Sequence, residues 1–149
     1  LGIVYDMKVV EKNSAAAVIL QDGHLNLFVR PGSKAAKRQE LLADWYRSQL
    51  RILIPPMIAK WEISMGVRVK EFGIKKMKTR WGTCNPQAQR IWLNLELAKK
   101  PVECLEYIVV HEMVHLLERG HGRRFIALMD KFLPDWRLLK DKLNLFLNY

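Results

Sequence analysis

One short segment, His111–His115 with the sequence HEMVH, constrains this chain more than any other feature. Residues four apart lie on one face of a helix, so His111 and His115 would be separated by about 6 Å along the helix axis. Two imidazoles in this arrangement can bind one Zn²⁺ ion, and Glu112 would lie close enough to reach a water activated by the metal. The pattern therefore predicts a helix that carries a zinc hydrolase site.

The residues around this motif are apolar on nearly every side of the predicted helix, so the helix should be buried. They run from Cys104 to Val110 before the motif and include Leu116 and Leu117 after it. Burying two imidazoles and a carboxylate without partners would cost on the order of several kcal/mol. A bound metal removes that cost, which favours a ligand role for the histidines over a role as ordinary core residues.

His121 is the preferred third ligand, and it lies six residues after His115. Gly120 can end the helix in a left-handed conformation and let the chain return towards the metal. Glu118 is the rival ligand, although its Cα would lie about 10 Å along the helix axis from that of His111. We favour His121 and expect Glu118 to face solvent or to support another ligand.

Four ordered segments resemble those of a known family: residues 77–85 (MKTRWGTCN), 91–95 (IWLNL), 105–112 (LEYIVVHE) and 120–125 (GHGRRF). They resemble the YgjP-like family of zinc metallopeptidases, whose pattern is R-W-G-S-C, a short strand, an HExxH helix and N-H-S-x-x-F. This chain has Thr83 in place of the serine, and Gly120 and Gly122 flank the third histidine. The resemblance implies a zincin-like fold, one catalytic zinc per chain and hydrolysis of peptide bonds.

The chemistry of zinc assigns roles to two further side chains. Zinc held by neutral imidazoles lowers the pKa of its water to about 7. Glu112 would accept the proton of that water and pass it to the leaving amine. Arg80 is our candidate for stabilising the charge on the carbonyl oxygen, because it is cationic and lies in a segment that resembles the family. A structural ion pair is the alternative role for Arg80.

The resemblance also suggests where a peptide would bind. In zincins, a strand beside the active-site helix pairs with the extended substrate. We expect that edge to consist of Ile91, Trp92, Leu93 and Asn94.

Length and composition predict a single domain over residues 1–149, because a chain of this size, half of it hydrophobic, can bury a proper core. We expect an N-terminal hairpin at about residues 5–30 and a catalytic part at about residues 33–149. The two cysteines, Cys84 and Cys104, form no framework, which favours a reducing, cytoplasmic location. No apolar run approaches the length of a membrane span, so we expect no membrane association. We also expect the protein to be a monomer.

The chain is strongly basic, with 25 Lys and Arg against 15 Asp and Glu and a net charge of +10. Such a surface would attract nucleic acid or acidic proteins, although it can also serve only to keep the domain in solution. The alternative function is therefore a basic, nucleic-acid-associated module with a structural or inactive zinc site. Structural zinc normally has four protein ligands, often cysteines, and this cluster offers three histidines.

The remaining patterns predict an α+β domain in which a small mixed or antiparallel sheet packs on helices. The predicted elements are a hairpin at 16–30, a helix capped by Ser33 and broken at Pro55-Pro56, a second helix ending at Gly66, strands near 67–69, 72–77 and 90–94, the zinc helix starting at Pro101, and helices at 123–132 and 135–147.

Overall fold

Two small sheets and a set of helices form the part of the chain that the computed structural model describes, residues 2, 5–11 and 16–145. The elements are β1 (Asp6–Glu11), β2 (Ala17–Gln21), β3 (His24–Val29), α1 (Ala35–Met65), β4 (Glu71–Lys75), β5 (Gly82–Asn85), β6 (Arg90–Asn94), a 3₁₀ helix (Leu95–Lys99), α2 (Val102–Val114), α3 (Arg123–Phe132) and α4 (Trp136–Leu145). This mixture confirms the α+β class. The last two residues of the helix predicted at 135–147 lie outside the described residues.

The first sheet has the strand order β1-β3-β2 and contains the predicted hairpin. Strands β2 and β3 are antiparallel, and the turn between them places Asp22 at φ 52° and Gly23 at φ 74°. Backbone at positive φ suits Asp and Gly and matches the twist of a tight hairpin. The alternating residues Leu25, Leu27 and Val29 are buried. The sheet thus has one face in the core, as the alternation predicted.

Helix α1 is continuous, so the prediction of two helices separated at Pro55-Pro56 is wrong. A proline inside a helix removes one backbone hydrogen bond and strains the preceding turn. Both prolines are exposed, whereas the opposite face of the helix buries one continuous row: Leu50, Ile54, Ile58, Trp61 and Met65. The packing of that row outweighs the local cost of the prolines.

The ends of α1 agree with the sequence prediction at one terminus and differ at the other. The helix begins after Lys34, and no side chain caps it, so the predicted cap at Ser33 is wrong. Gly66 ends the helix as predicted, in the left-handed conformation at φ 67°, and its N–H donates to the carbonyl of Glu62 at 2.9 Å.

The second sheet has the strand order β4-β6-β5, with β6 in the centre. Strand β6 is parallel to β4 and antiparallel to β5. The prediction of a strand at 90–94 is confirmed, and β4 overlaps the strand predicted at 72–77, beginning one residue and ending two residues earlier. Residues 67–69 form no strand; the N–H of Val69 instead donates to the carboxylate of Glu62 at 3.0 Å. Strand β5 was not predicted.

Helix α2 occupies the centre of the core and contacts α1, α3, α4 and the strands β5 and β6. Residues on several of its faces have no exposed surface: Cys104, Leu105, Val109, Val110, Met113 and Val114. Pro101 precedes the first turn, where the missing N–H of a proline costs no helical hydrogen bond. No described helix is both long enough and apolar enough to cross a membrane.

Candidate metal centre

The imidazoles of His111, His115 and His121 converge on one point beside the end of α2. The Nε2 atoms of His115 and His121 are 3.1 Å apart, and those of His121 and His111 are 3.4 Å apart. Two nitrogens bound to a tetrahedral zinc, each about 2.05 Å from it, are about 3.3 Å apart. Two of the three nitrogen pairs therefore have the spacing that a zinc ion requires. The ligand atoms of all three histidines lie within 4.8 Å of one another, and they form the cluster in the described chain that could hold a metal.

A tight reversal of the chain after α2 brings His121 back to the other two histidines. The helix ends at Val114, and the N–H groups of Leu117 and Glu118 both donate to the carbonyl of Val114, at 2.8 and 3.0 Å. These bonds close the last turn before Gly120 is reached. Gly120 is not among the described glycines with positive φ, so the predicted left-handed helix end at this residue is wrong.

The backbone of Glu118 fixes the orientation of His115. Its carbonyl oxygen lies 3.0 Å from Nδ1 of His115, and a carbonyl can only accept, so Nδ1 carries the proton. In a neutral imidazole, Nε2 then keeps its lone pair for a metal. The carboxylate of Glu118 pairs with Arg124 at 3.5 Å and stands outside the histidine cluster.

Burial favours the neutral form of His111 and His115, which is the form that binds metal. It lowers the pKa of His111 to about 4, and the neighbouring His115 and His121 act in the same direction. Burial also lowers the pKa of His115. Phe125 contributes to this burial, since its ring stacks on that of His115 with centroids 4.7 Å apart.

Glu112 is buried beside the cluster, with 4% of its surface exposed. Burial raises the pKa of its carboxyl to about 8, while the positive charge of Arg80 acts in the opposite direction. A carboxylate with a raised pKa is a stronger base than an ordinary glutamate.

A cavity of about 930 Å³ opens in front of these groups. Its lining includes the three histidines, Glu112, Arg80, Tyr107 and all four residues of β5. The structure thus brings Arg80, predicted from its segment alone, to the same cavity as Glu112.

The predicted substrate strand does not line this cavity, and its edges are already paired. Strand β6 has β4 on one side and β5 on the other, so it offers no edge to a peptide. Ile91 and Leu93 have no exposed surface. The expectation that residues 91–94 pair with substrate is therefore wrong. The sequence pattern identified a strand beside the helix, but strand order depends on contacts distant in the sequence.

Trp92 and Asn94 have structural roles instead. The ring of Trp92 covers Gly73, where an added Cβ would lie 2.3 Å from the ring. The amide of Asn94 donates to the carbonyls of Met77 and Arg80, at 3.1 and 2.7 Å. Asn94 thereby holds the segment that leads to Arg80.

Tyr107 lines the cavity and was not predicted as a site residue. Its ring lies edge-on to that of His111, with centroids 6.0 Å apart, and 4% of the residue is exposed. Burial raises the pKa of its hydroxyl to about 12, so the group keeps its proton. The sequence signal that could have identified Tyr107 as a site residue is its position one helical turn before His111, on the same face of the helix. Cys84 also lines the cavity, and burial raises the pKa of its thiol to about 11.

Comparison with known proteins agrees with this geometry. The sequence model of the family described as YgjP-like, metallopeptidase domain, matches residues 1–146. The fold is similar to that of the metallopeptidase zymogen abylysin of Pyrococcus abyssi, with a TM-score of 0.58 and 18% identity over 64% of this chain and 95% of that one. It is also similar to the metallopeptidase zymogen jannalysin of Methanocaldococcus jannaschii, with a TM-score of 0.53 and 21% identity over 60% of this chain and 92% of that one. No curated protein matches the chain. These likenesses confirm the predicted zincin-like fold.

Proposed function

The chain belongs to the YgjP-like metallopeptidase family, and we propose that it is a zinc-dependent peptidase whose metal is held by His111, His115 and His121. The observation that carries this proposal is the convergence of three Nε2 atoms, with spacings of 3.1 and 3.4 Å, at a cavity that also contains Glu112. Burying the Glu112 carboxylate beside these imidazoles is costly, and a bound metal cation would offset that cost.

Zinc suits this ligand set better than magnesium or calcium, which prefer oxygen ligands. Three protein ligands beside an open cavity also favour a catalytic site over a structural one, because structural zinc is normally enclosed by four. When bound, zinc supplies Lewis acidity, which makes water more acidic and a carbonyl carbon more electrophilic.

Glu112 is the proposed general base. Its burial and its raised pKa favour proton uptake, and its position next to His111 on α2 keeps it at the cavity wall. It accepts a proton from the attacking water and donates it to the amine that leaves.

Arg80 and Tyr107 are the proposed donors to the oxygen on which negative charge develops. Arg80 is exposed at the cavity and forms no ion pair with a described residue, which argues against the structural ion pair as its role. The Tyr107 hydroxyl keeps its proton and has no hydrogen-bond partner among the described residues, so it is free to donate.

Strand β5 is the proposed docking edge for an extended peptide. It pairs with β6 on one side, and no other described strand pairs with it. All four of its residues line the cavity. Peptides commonly bind by adding a strand to such an edge, with main-chain hydrogen bonds that do not depend on sequence.

The test combines metal analysis with an assay of proteolysis. We expect protein purified without chelators to contain one zinc per chain and to cleave an unfolded protein such as casein. Glu112→Gln should keep the zinc and the fold but lose activity by about 10²-fold or more. Absence of any transition metal, or equal activity of Glu112→Gln, would overturn the proposal.

A further inference from the structure

Three cationic side chains from separate parts of the chain meet at the cavity that contains the histidines. Arg80 precedes β5, Arg119 lies in the reversal after α2, and Lys140 lies on α4. All three residues are exposed. They are distant in sequence, so their meeting is a property of the folded chain.

These charges are not neutralised by the described part of the protein. Arg80, Arg119 and Lys140 form no ion pair with any described residue. Two cations outside the cavity lining do have partners: Arg124 pairs with Glu118, and Lys142 pairs with Glu103. The lining of the cavity thus carries three cations that have no ion-pair partner in the described part of the chain.

The cavity lining contains almost no negative charge that could balance these three cations. Glu112 is the single carboxylate among the described lining residues, and it is buried at the wall. Apart from the three histidines and Cys84, the other polar lining residues are neutral: Thr83, Asn85, Gln87, Tyr107 and Asn144. A concave site lined by one sign of charge concentrates its field on the ligand that enters.

We propose that the cavity selects peptides that carry a carboxylate close to the bond that is cut. This inference rests on the proposed peptidase function and names its substrate class. The carboxylate can belong to a Glu or Asp side chain or to the C-terminus of the peptide. Nucleic acid would also be attracted by positive charge, but these cations surround a cavity of about 930 Å³ beside a free strand edge, which fits an extended peptide.

The first experiment compares matched peptides on the zinc-loaded protein. One pair differs by Glu or Gln next to the cleaved bond, and a second pair has a free or an amidated C-terminus. An exposed ion pair changes affinity about two- to fivefold, so a carboxylate that meets more than one cation should raise kcat/KM about fivefold to tenfold. The preference should shrink as salt is raised from 50 to 500 mM. The peptide pair that shows this preference identifies whether the carboxylate belongs to a side chain or to the C-terminus.

The second experiment removes two of the three cations and keeps Arg80, which has a proposed catalytic role. Arg119→Gln combined with Lys140→Gln should lower the ratio of kcat/KM for the Glu and Gln peptides at least twofold, towards one. The matched control is Arg51→Gln combined with Lys131→Gln, which removes two exposed charges outside the cavity lining and should preserve the ratio. A ratio that falls equally in both double variants would overturn the proposal, because it would reflect net charge alone.

A binding measurement separates this inference from the peptidase function. Fluorescence polarisation of the labelled Glu and Gln peptides on Glu112→Gln protein reports affinity without cleavage. Stronger binding of the Glu peptide with no cleavage by the parent protein would support carboxylate selection and contradict the peptidase function. Equal cleavage and equal binding of both peptides would overturn carboxylate selection and leave the peptidase function intact. A competition measurement adds one more test, with a short single-stranded oligonucleotide and the unlabelled Glu peptide as competitors. If the oligonucleotide displaces the labelled Glu peptide at the lower concentration, carboxylate selection is overturned.

Discussion

The backbone of Gly82 lies against the side chain of Glu112, with no room between them for a methyl group. A Cβ at Gly82 would lie 2.9 Å from Cγ and 3.0 Å from Oε2 of Glu112, and 3.0 Å from the carbonyl oxygen of Trp92. The first strand residue of β5 therefore packs directly on the proposed general base. This contact gives a physical reason for glycine in the segment RWGTC.

Replacing Gly82 by alanine should displace either Glu112 or β5. Because a shift of about 1 Å in a reacting group can cost about 10²-fold in rate, we expect Gly82→Ala to lower kcat/KM at least tenfold while zinc is retained. The measurement is kcat/KM together with zinc content. Gly122→Ala is the control, since an added Cβ there meets no atom within 4 Å. Parental activity in Gly82→Ala would show that Glu112 tolerates displacement.

Removing His121 should weaken metal binding far more than changing the side chain of Glu118. His121→Ala deletes one of three converging nitrogens, whereas Glu118→Gln keeps the backbone carbonyl that orients His115. Loss of a group that only supports a ligand typically costs about 10–100-fold in affinity, and loss of the ligand should cost more. Competition for zinc with a chelator measures both, with folding checked by circular dichroism. The reverse order of affinities would mean that Glu118 binds the metal.

The metal-free protein should lose stability as the pH rises from 7 to 9. Burial raises the folded-state pKa of Glu112 to about 8 from an ordinary value of 4.5, so its stability contribution is complete below pH 4.5 and is lost as the pH passes 8. The free energy of unfolding should fall by about 1 kcal/mol across this interval. His111 and His115 have lowered pKa values and stay neutral throughout it.

Urea unfolding at the two pH values, with a chelator present, measures this change. Glu112→Gln is the matched control, since its amide does not titrate and its stability should vary less with pH. If the free energy of unfolding changes equally with pH in the two proteins, Glu112 is not the group responsible for the change.

Removing the side chain of Asn94 should lower the stability of the protein and should also loosen the segment that carries Arg80. The Asn94 side chain makes four hydrogen bonds, accepting from the N–H groups of Met77 and Glu96 and donating to the carbonyls of Met77 and Arg80. Leaving such buried groups unpaired typically costs about 2–4 kcal/mol in total. We expect Asn94→Ala to lose this much stability and to lower kcat/KM as the Arg80 segment loosens.

Thermal and urea unfolding measure the loss of stability. Asn85→Ala is the control, because the exposed Asn85 side chain accepts one bond, from the N–H of Ala88 at 3.2 Å. A cost no larger for Asn94→Ala than for Asn85→Ala would contradict the structural role of Asn94.

Sequence spacing alone predicted the features that depend on neighbours along the chain. His111 and His115 share one face of α2 because four residues make about one helical turn. Gly66 ends α1 because a left-handed residue there costs glycine little. The strand at 90–94 was predictable because it follows the turn signal Asn85-Pro86.

Only the tertiary structure decided how these local elements meet. Strand β6 became central because β5, too short to be recognised alone, pairs with it. Helix α1 continues through Pro55 and Pro56 because its opposite face is packed in the core. Arg80, Arg119 and Lys140 share one cavity because segments separated by about 20 to 40 residues fold together. Local sequence determines which structure a segment favours, whereas long-range packing determines which edges stay free and which charges meet.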